Sequence, residues 1–241
     1  MATKPLDYQD GALTLKGYLA TPDGGGARPG IVLFPEAFGI GEHVMERARR
    51  LAALGYVALA ADPYGNGATA GDLPKAIELM TAVRSDVNVW RGRAKAALDA
   101  LSAQPGVDTS KLAAIGYCFG GSTALELARS GAAIKAVVSF HGGLESPRPD
   151  DAKNIRAKVL VCHGASDPLV PPEQVAGFGA KMREVGGHVD WQLHAYGGVK
   201  HSFTNPDADK LGNPAIAYNA AADKRSWAAM ALLFEEVFGP R

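Results

Sequence analysis

The stretch GYCFG at residues 116–120 decides the fold of this chain. It follows an apolar run at residues 111–115 and precedes a helix-like stretch at residues 121–128. A G-x-nucleophile-x-G pattern between a strand and a helix is typical of a nucleophile elbow, a tight turn that holds its central side chain above the sheet. The two glycines leave room for the neighbouring helix and strand. The pattern therefore predicts that Cys118 is presented as a nucleophile.

Cysteine stands where serine is more usual in this pattern, and its surroundings favour the thiolate. Cys118 lies at the start of the following helix, where the positive end of the helix dipole stabilises a negative charge. The backbone amide of Phe119 would point to the same place and could hold a developing oxyanion. A cysteine between apolar residues is otherwise most often a small buried hydrophobe. The flanking glycines favour the nucleophile, because packing alone does not require them.

The chain has 241 residues, and its 25 Lys and Arg residues balance its 25 Asp and Glu residues in charge. This length can supply a real hydrophobic core, and we expect a single domain over residues 1–241. The balanced charge argues against nucleic-acid and anionic-membrane partners. We see no signal core at the N-terminus and no stretch apolar enough to span a bilayer. Because Cys118 must stay unpaired to act as a nucleophile, a reducing cytoplasm fits best.

Short apolar runs alternate with helix-like stretches along most of the chain. The alternating segment at residues 6–20, with a turn at Asp10-Gly11, predicts a hairpin. Further strands are predicted at residues 31–34, 56–61, 136–140, 159–162 and 189–196, and helices at residues 42–54, 73–104, 173–185 and 218–238, the second broken near residues 84–88. This order predicts an α/β fold with a mostly parallel central sheet and helices on both faces.

Two more polar residues follow predicted strands at the sheet edge where ligands bind in such folds. Asp167 comes after the strand at residues 159–162, and His201 lies in the loop after the last strand. A cysteine nucleophile needs a base, and the base needs an orienting group. With Cys118, these residues give the order nucleophile, acid, histidine that this kind of elbow uses. The alternatives are a solvated loop histidine and an aspartate that caps the turn before Pro168.

Structural roles account for the other histidines and for the second cysteine. We interpret His141 as strand-end packing, His163 as an anchor of its loop, His194 as a strand residue, His43 and His188 as surface residues, and Cys162 as core. The spacing of cysteine and histidine fits no metal site, and no phosphate loop or dinucleotide fingerprint occurs. We therefore expect neither a metal nor a cofactor.

The combined motifs resemble the dienelactone hydrolase family of the α/β-hydrolase superfamily. The matching pieces, in the family's order, are PEAFG at residues 35–39, GYCFGG at 116–121, HGASD at 163–167 and HSF at 201–203. The resemblance implies the α/β-hydrolase fold and a triad of Cys118, His201 and Asp167. It also implies an oxyanion hole from the backbone amides of Phe119 and Ala37.

The same resemblance implies a role for Glu36. In family members a carboxylate near the thiol receives or shares its proton and helps to switch the cysteine between a resting and an attacking state. The structural alternative is that Glu36 caps a local amide.

The chain departs from the family where dienelactone hydrolase binds the carboxylate of its substrate with arginines. One of those arginines lies four residues after the catalytic histidine, where this chain has Asn205. Arg84 is the nearest candidate for the other. Loss of a fixed cation removes the charge-assisted bond that would select an anionic lactone, so we expect a neutral substrate. Phe38, Trp90 and Phe203 are candidate apolar walls, and the alternative for each of them is a place in the core.

The leading hypothesis is hydrolysis of a small-molecule carboxylic ester or lactone through a covalent acyl-enzyme on Cys118. The same geometry could accept attack at phosphorus, so metal-independent hydrolysis of neutral phosphotriesters is an alternative. Another is a non-catalytic ligand-binding α/β-hydrolase, which a Cys118 inert to alkylation would favour. The last is a redox protein that uses Cys118 and Cys162, against which the lack of a C-x-x-C motif argues.

Overall fold

The computed structural model, which describes residues 1–240, is organised around one eight-stranded sheet. Its strands are β1 (Ala2–Asp10), β2 (Leu13–Thr21), β3 (Arg28–Phe34), β4 (Val57–Ala60), β5 (Val107–Tyr117), β6 (Ala136–Phe140), β7 (Lys158–Gly164) and β8 (Trp191–Tyr196). Their order across the sheet is β1-β2-β4-β3-β5-β6-β7-β8. β1 and β2 form the predicted hairpin, β2 also runs antiparallel to β4, and all other pairs are parallel. The predicted α/β architecture is confirmed.

Over residues 1–240, five α-helices lie in the connections between parallel strands, and a sixth follows the last strand. They are α1 (Glu42–Ala53), α2 (Leu73–Arg84), α3 (Val87–Ser102), α4 (Phe119–Arg129), α5 (Pro172–Val185) and α6 (Ala220–Phe238). The predicted break between α2 and α3 is confirmed, because Asp86 accepts a hydrogen bond from the backbone of Asn88 and so caps a new helix. Within residues 1–240, we find no helix with the length and apolar character needed to cross a membrane.

Apolar layers cover both faces of the sheet, because successive strand residues point to opposite sides. Val32 and Val137 belong to the layer that includes residues of α3, α4 and α5. Ile31 and Val138 belong to the layer that includes residues of α1 and α6. Burial on both faces explains why these strands appear in the sequence as continuous apolar runs.

A third, smaller apolar cluster surrounds Cys118. Ala76 and Val83 of α2 pack there with Trp90 of α3 and Phe119 of α4. α2 therefore covers the region of the nucleophile, whereas the other helices cover the sheet.

The carboxyl ends of the parallel strands bring the candidate residues together. Glu36 follows β3, Cys118 follows β5, His141 follows β6, Asp167 follows β7 and His201 follows β8. Since β3, β5, β6, β7 and β8 are consecutive in the sheet, these five residues line one edge in this order.

Candidate active site

Cys118 lies on a strained turn between β5 and α4. Its backbone has φ 54° and ψ −117°, a left-handed conformation that residues other than glycine rarely adopt. A Cβ atom on Gly116 would lie 1.9 Å from the carbonyl oxygen of Gly120, and one on Gly120 would lie 2.0 Å from the carbonyl oxygen of Phe34. No side chain fits at either position, which explains why the pattern needs glycine on both sides of the cysteine.

His201 and Asp167 form a buried pair at the ends of β8 and β7. Nδ1 of His201 lies 2.7 Å from Oδ2 of Asp167, and neither side chain is more than 5% exposed. The other carboxylate oxygen, Oδ1, accepts a hydrogen bond from the backbone of Leu169 at 2.8 Å. Because a carboxylate only accepts, Nδ1 of His201 carries the proton that it shares with Asp167. Nε2 is therefore left for chemistry, and the imidazole interacts with the Cys118 thiol.

The imidazole of His201 is a stronger base than that of an ordinary histidine. Burial by itself lowers its pKa, but the charge of Cys118 and the hydrogen bond to Asp167 outweigh burial and raise the pKa to about 10. An ionised Cys118 therefore stabilises the protonated ring of His201.

Two backbone amides beside Cys118 are free to bind an anion. Phe119 begins α4, so its N–H has no acceptor within the helix. Within residues 1–240, neither this N–H nor that of Ala37 donates a hydrogen bond to the protein. Tyr64 steadies both residues, because its hydroxyl donates to the carbonyl oxygen of Ala37 at 2.6 Å and its ring stacks on that of Phe119 at 6.1 Å.

Glu36 lies after β3 and is held by Asn205 and His43. Its Oε2 accepts a hydrogen bond from Nδ2 of Asn205 at 2.7 Å and lies 3.5 Å from Nδ1 of His43. Burial raises the pKa of Glu36, but its contacts with His43 and Asn205 outweigh burial and lower the pKa to about 2. The site therefore holds a negative charge at Glu36 at neutral pH.

A second histidine, which was not predicted there, lies at the elbow. His141 follows β6 with φ 42°, and its Nδ1 accepts a hydrogen bond from the backbone N–H of Cys118 at 3.1 Å. Its Nε2 lies 2.8 Å from Oγ1 of Thr204. The interpretation of His141 as strand-end packing is thus corrected, since the ring bonds the backbone of the candidate nucleophile. Its place directly after a strand was the signal that could have found it.

Two other histidines also differ from their predicted roles. His43, expected at the surface, has a side chain only 11% exposed, because it shares a face of α1 with the buried Arg47. His163, expected to anchor its loop by hydrogen bonds, is buried, and its Nδ1 has no hydrogen-bond partner within the described part of the chain.

The side chains predicted to bind substrate lie in different environments. Phe38 is partly buried and packs against the cluster around Cys118. Trp90 is 1% exposed, and its ring stacks on that of Phe119 with centroids 5.7 Å apart. Its side chain therefore packs against Phe119 and is not accessible to a substrate. Arg84 is exposed, and its guanidinium lies 5.4 Å from the centre of the Trp90 ring.

Phe203 is a core residue, which corrects the prediction that it lines a pocket. It is fully buried in the layer that includes α1 and α6, where it packs edge-on against His141 at 5.2 Å. Leu79 and Met80 of α2, which the sequence analysis did not single out, pack against the cluster around Cys118. They are better candidates for an apolar wall.

Both cysteines are free. Cys162 is fully buried in an apolar layer, as predicted, and burial raises its pKa to about 12. Among residues 1–240, no three His, Cys, Asp or Glu side chains are grouped so that they could hold a metal ion.

Comparison with known proteins finds similarity along nearly the whole chain. The model of the dienelactone hydrolase family matches residues 15–238. A protein named "Putative carboxymethylenebutenolidase" from Methylorubrum extorquens is 30% identical over 210 residues, which cover 82% of this chain and 70% of that protein. The solved structure of m3DLH is 50% identical, with a TM-score of 0.94 and 98% of both chains covered. A dienelactone hydrolase-like promiscuous phosphotriesterase from metagenomic libraries is 48% identical, with a TM-score of 0.93 and the same coverage.

Proposed function

The chain belongs to the dienelactone hydrolase family and is a hydrolase of the α/β-hydrolase superfamily that acts on a small molecule, and from this premise we propose that it cleaves neutral carboxylic esters or lactones through Cys118. One observation supports the proposal most: Cys118 stands on a strained turn beside the buried pair of His201 and Asp167. The free amides of Phe119 and Ala37 add a place for the oxyanion.

The proposed reaction passes through a thioester. The Cys118 thiolate attacks the carbonyl carbon, and the carbonyl electron pair moves onto oxygen, where the amides of Phe119 and Ala37 hold it. When the intermediate collapses, the bond to the alcohol oxygen breaks and His201 gives its Nε2 proton to that oxygen. His201 then takes a proton from water as the water oxygen attacks the thioester carbon. Cleavage of the carbon–sulfur bond releases the acid and restores the thiolate beside protonated His201.

An acyl group on Cys118 is the direct test of this function. We expect that p-nitrophenyl acetate, quenched in acid during the first turnover, leaves one acetyl group on the peptide that contains Cys118, as measured by mass spectrometry. The variant Cys162→Ala should keep this adduct, since Cys162 is fully buried. An enzyme that stays active after Cys118 has been alkylated would overturn the proposal.

The proposed preference for neutral substrates depends on Asn205. Its Nδ2 donates to Glu36 and its Oδ1 accepts from the backbone of Asp207 at 3.0 Å, so the amide group is already engaged on both sides. The ionised Glu36 would also repel a carboxylate on the substrate. A carboxylate buried there without a partner would cost about 1–3 kcal/mol or more.

A matched pair of esters measures this preference. We expect kcat/KM for p-nitrophenyl hexanoate to exceed that for mono-p-nitrophenyl adipate by about tenfold or more, since tenfold corresponds to about 1.4 kcal/mol. The two esters have similar chains and differ mainly in the terminal carboxylate, and the spontaneous hydrolysis of each is subtracted. Equal kcat/KM values, or a higher value for the adipate ester, would contradict the proposed preference for neutral substrates.

Hydrolysis of a neutral phosphotriester is a second candidate function, because a relative with 48% identity is named as a promiscuous phosphotriesterase. The thiolate would attack phosphorus, the aryl oxide would leave, and the phosphoryl oxygen would occupy the amides of Phe119 and Ala37. Diethyl p-nitrophenyl phosphate in the same quench experiment should leave a diethylphosphoryl group on Cys118. A nucleophile that must stay unpaired favours a reducing compartment such as the cytoplasm for either function.

A further inference from the structure

Buried polar groups form a chain behind Cys118 that the proposed chemistry does not use. The N–H of Cys118 donates to the carbonyl oxygen of Phe140 at 3.0 Å and to Nδ1 of His141 at 3.1 Å. Because Nδ1 accepts this bond, the proton of His141 is assigned to Nε2, which donates to Oγ1 of Thr204 at 2.8 Å. His141 is therefore neutral, as its burial also requires.

Thr204 extends this chain of hydrogen bonds towards His43. Since Oγ1 accepts from His141, its own hydrogen is free to donate to Nε2 of His43, which lies 3.5 Å away. Nε of Arg47 donates to the same nitrogen at 3.3 Å, so the proton of His43 is assigned to Nδ1, the atom beside Glu36. The hydrogen bonds thus run in one direction from the amide of the elbow as far as His43, and Nδ1 of His43 lies 3.5 Å from Oε2 of Glu36.

Thr204 is itself held firmly. It is 1% exposed, and its carbonyl oxygen accepts a hydrogen bond from Nη2 of Arg47 at 2.5 Å. Nη2 of Arg47 also donates to Asp223 on α6 at 2.8 Å. Thr204 lies three residues after His201 and directly before Asn205. The hydroxyl of Thr204 therefore links the loop that carries His201 to His141 at the elbow and to His43 beside Glu36.

We propose that Thr204 is a positioning residue that keeps His141 as the acceptor for the Cys118 amide and so fixes the direction of the thiol. Cys118 and His141 both have positive φ, and such strained backbone persists only where its surroundings hold it. If His141 turns away, the amide of Cys118 keeps only the carbonyl oxygen of Phe140 as acceptor, so the turn is held less firmly and the sulfur can move away from His201. A misplacement of about 1 Å can cost about 10²-fold in rate. This inference rests on the proposed function, because it assumes that Cys118 is the nucleophile.

The variant Thr204→Val tests the inference, because it removes the hydroxyl and keeps the shape of the side chain. We expect kcat for p-nitrophenyl acetate to fall about tenfold or more, with KM changed less than about twofold, since substrate contacts are kept. The rate at which iodoacetamide alkylates Cys118 should fall as well. Thr204→Ser, which keeps the hydroxyl, should recover most of kcat.

The matched control is Ser226→Ala, which removes a buried hydroxyl that donates only to the carbonyl oxygen of Asp223 in its own helix at 3.0 Å. We expect this variant to keep the kcat of the wild type. If Thr204→Val does not fold, Thr204→Ala gives the same measurement, although it removes the γ-methyl group together with the hydroxyl. Unchanged kcat and alkylation, or an equal loss in Thr204→Ser, would overturn the inference. Failure of the proposed function is a separate result, seen as activity that survives loss of Cys118.

Discussion

Replacing Cys118 with alanine is expected to lower kcat/KM for p-nitrophenyl acetate by about 10³-fold or more. The reason is that alanine cannot form the thioester, so the two-step reaction is lost. The amides of Phe119 and Ala37 remain in place and would leave a residual rate above that in water. Initial rates of p-nitrophenol release, corrected for spontaneous hydrolysis, measure the effect.

Cys118→Ser is the comparison variant for this experiment. Serine keeps a nucleophilic atom beside His201, so its activity should exceed that of Cys118→Ala while staying below the wild type, because an alcohol ionises far less readily than a thiol. Alanine and serine face the same backbone strain as cysteine at φ 54°, so both variants should keep the melting temperature within a few degrees. A Cys118→Ala enzyme within tenfold of the wild type would exclude Cys118 as the nucleophile.

Strand ends explain why so much of the candidate site was predictable. Cys118, Asp167 and His201 follow β5, β7 and β8, and all parallel strands end at the same edge of the sheet. Continuous apolar runs mark these strands, because both faces of the sheet are covered by helices. The sequence therefore contains the information that these side chains lie near one another, even though they are distant along the chain.

The direction of a side chain in an irregular segment was not predictable in the same way. His141 also follows a strand, but its ring reaches the elbow from a backbone with φ 42°, which no pattern in the sequence predicts. Phe203 lies two residues from His201, yet its ring is buried in the core, where it packs edge-on against His141. Loops lack the repeating geometry that relates position to direction in helices and strands. Their contacts depend on elements that are distant in sequence.

The variant Gly120→Ala is expected to lower the free energy of unfolding by about 3–5 kcal/mol, or to prevent folding. The added Cβ would lie 2.0 Å from the carbonyl oxygen and 2.4 Å from the carbonyl carbon of Phe34. Both atoms belong to the backbone of β3, which pairs with β4 and β5 and cannot move aside without breaking the sheet. Denaturation in urea, followed by circular dichroism, measures the change.

Gly177→Ala provides the matched control, because it makes the same chemical change inside another helix, α5. Apart from its chain neighbours and the backbone of its own helix, no atom of residues 1–240 lies within 4 Å of a Cβ added at Gly177. Alanine should therefore stabilise the protein there by about 0.5–1 kcal/mol through its greater helix propensity. We expect the free energy of unfolding to fall in Gly120→Ala and to rise in Gly177→Ala. This difference would show that the loss in Gly120→Ala comes from the close contact at the elbow and not from replacing a helical glycine as such. A Gly120→Ala protein as stable as the wild type would mean that α4 can withdraw from β3. Because the amide of Phe119 would move with α4, such a protein should then lose activity while keeping its fold.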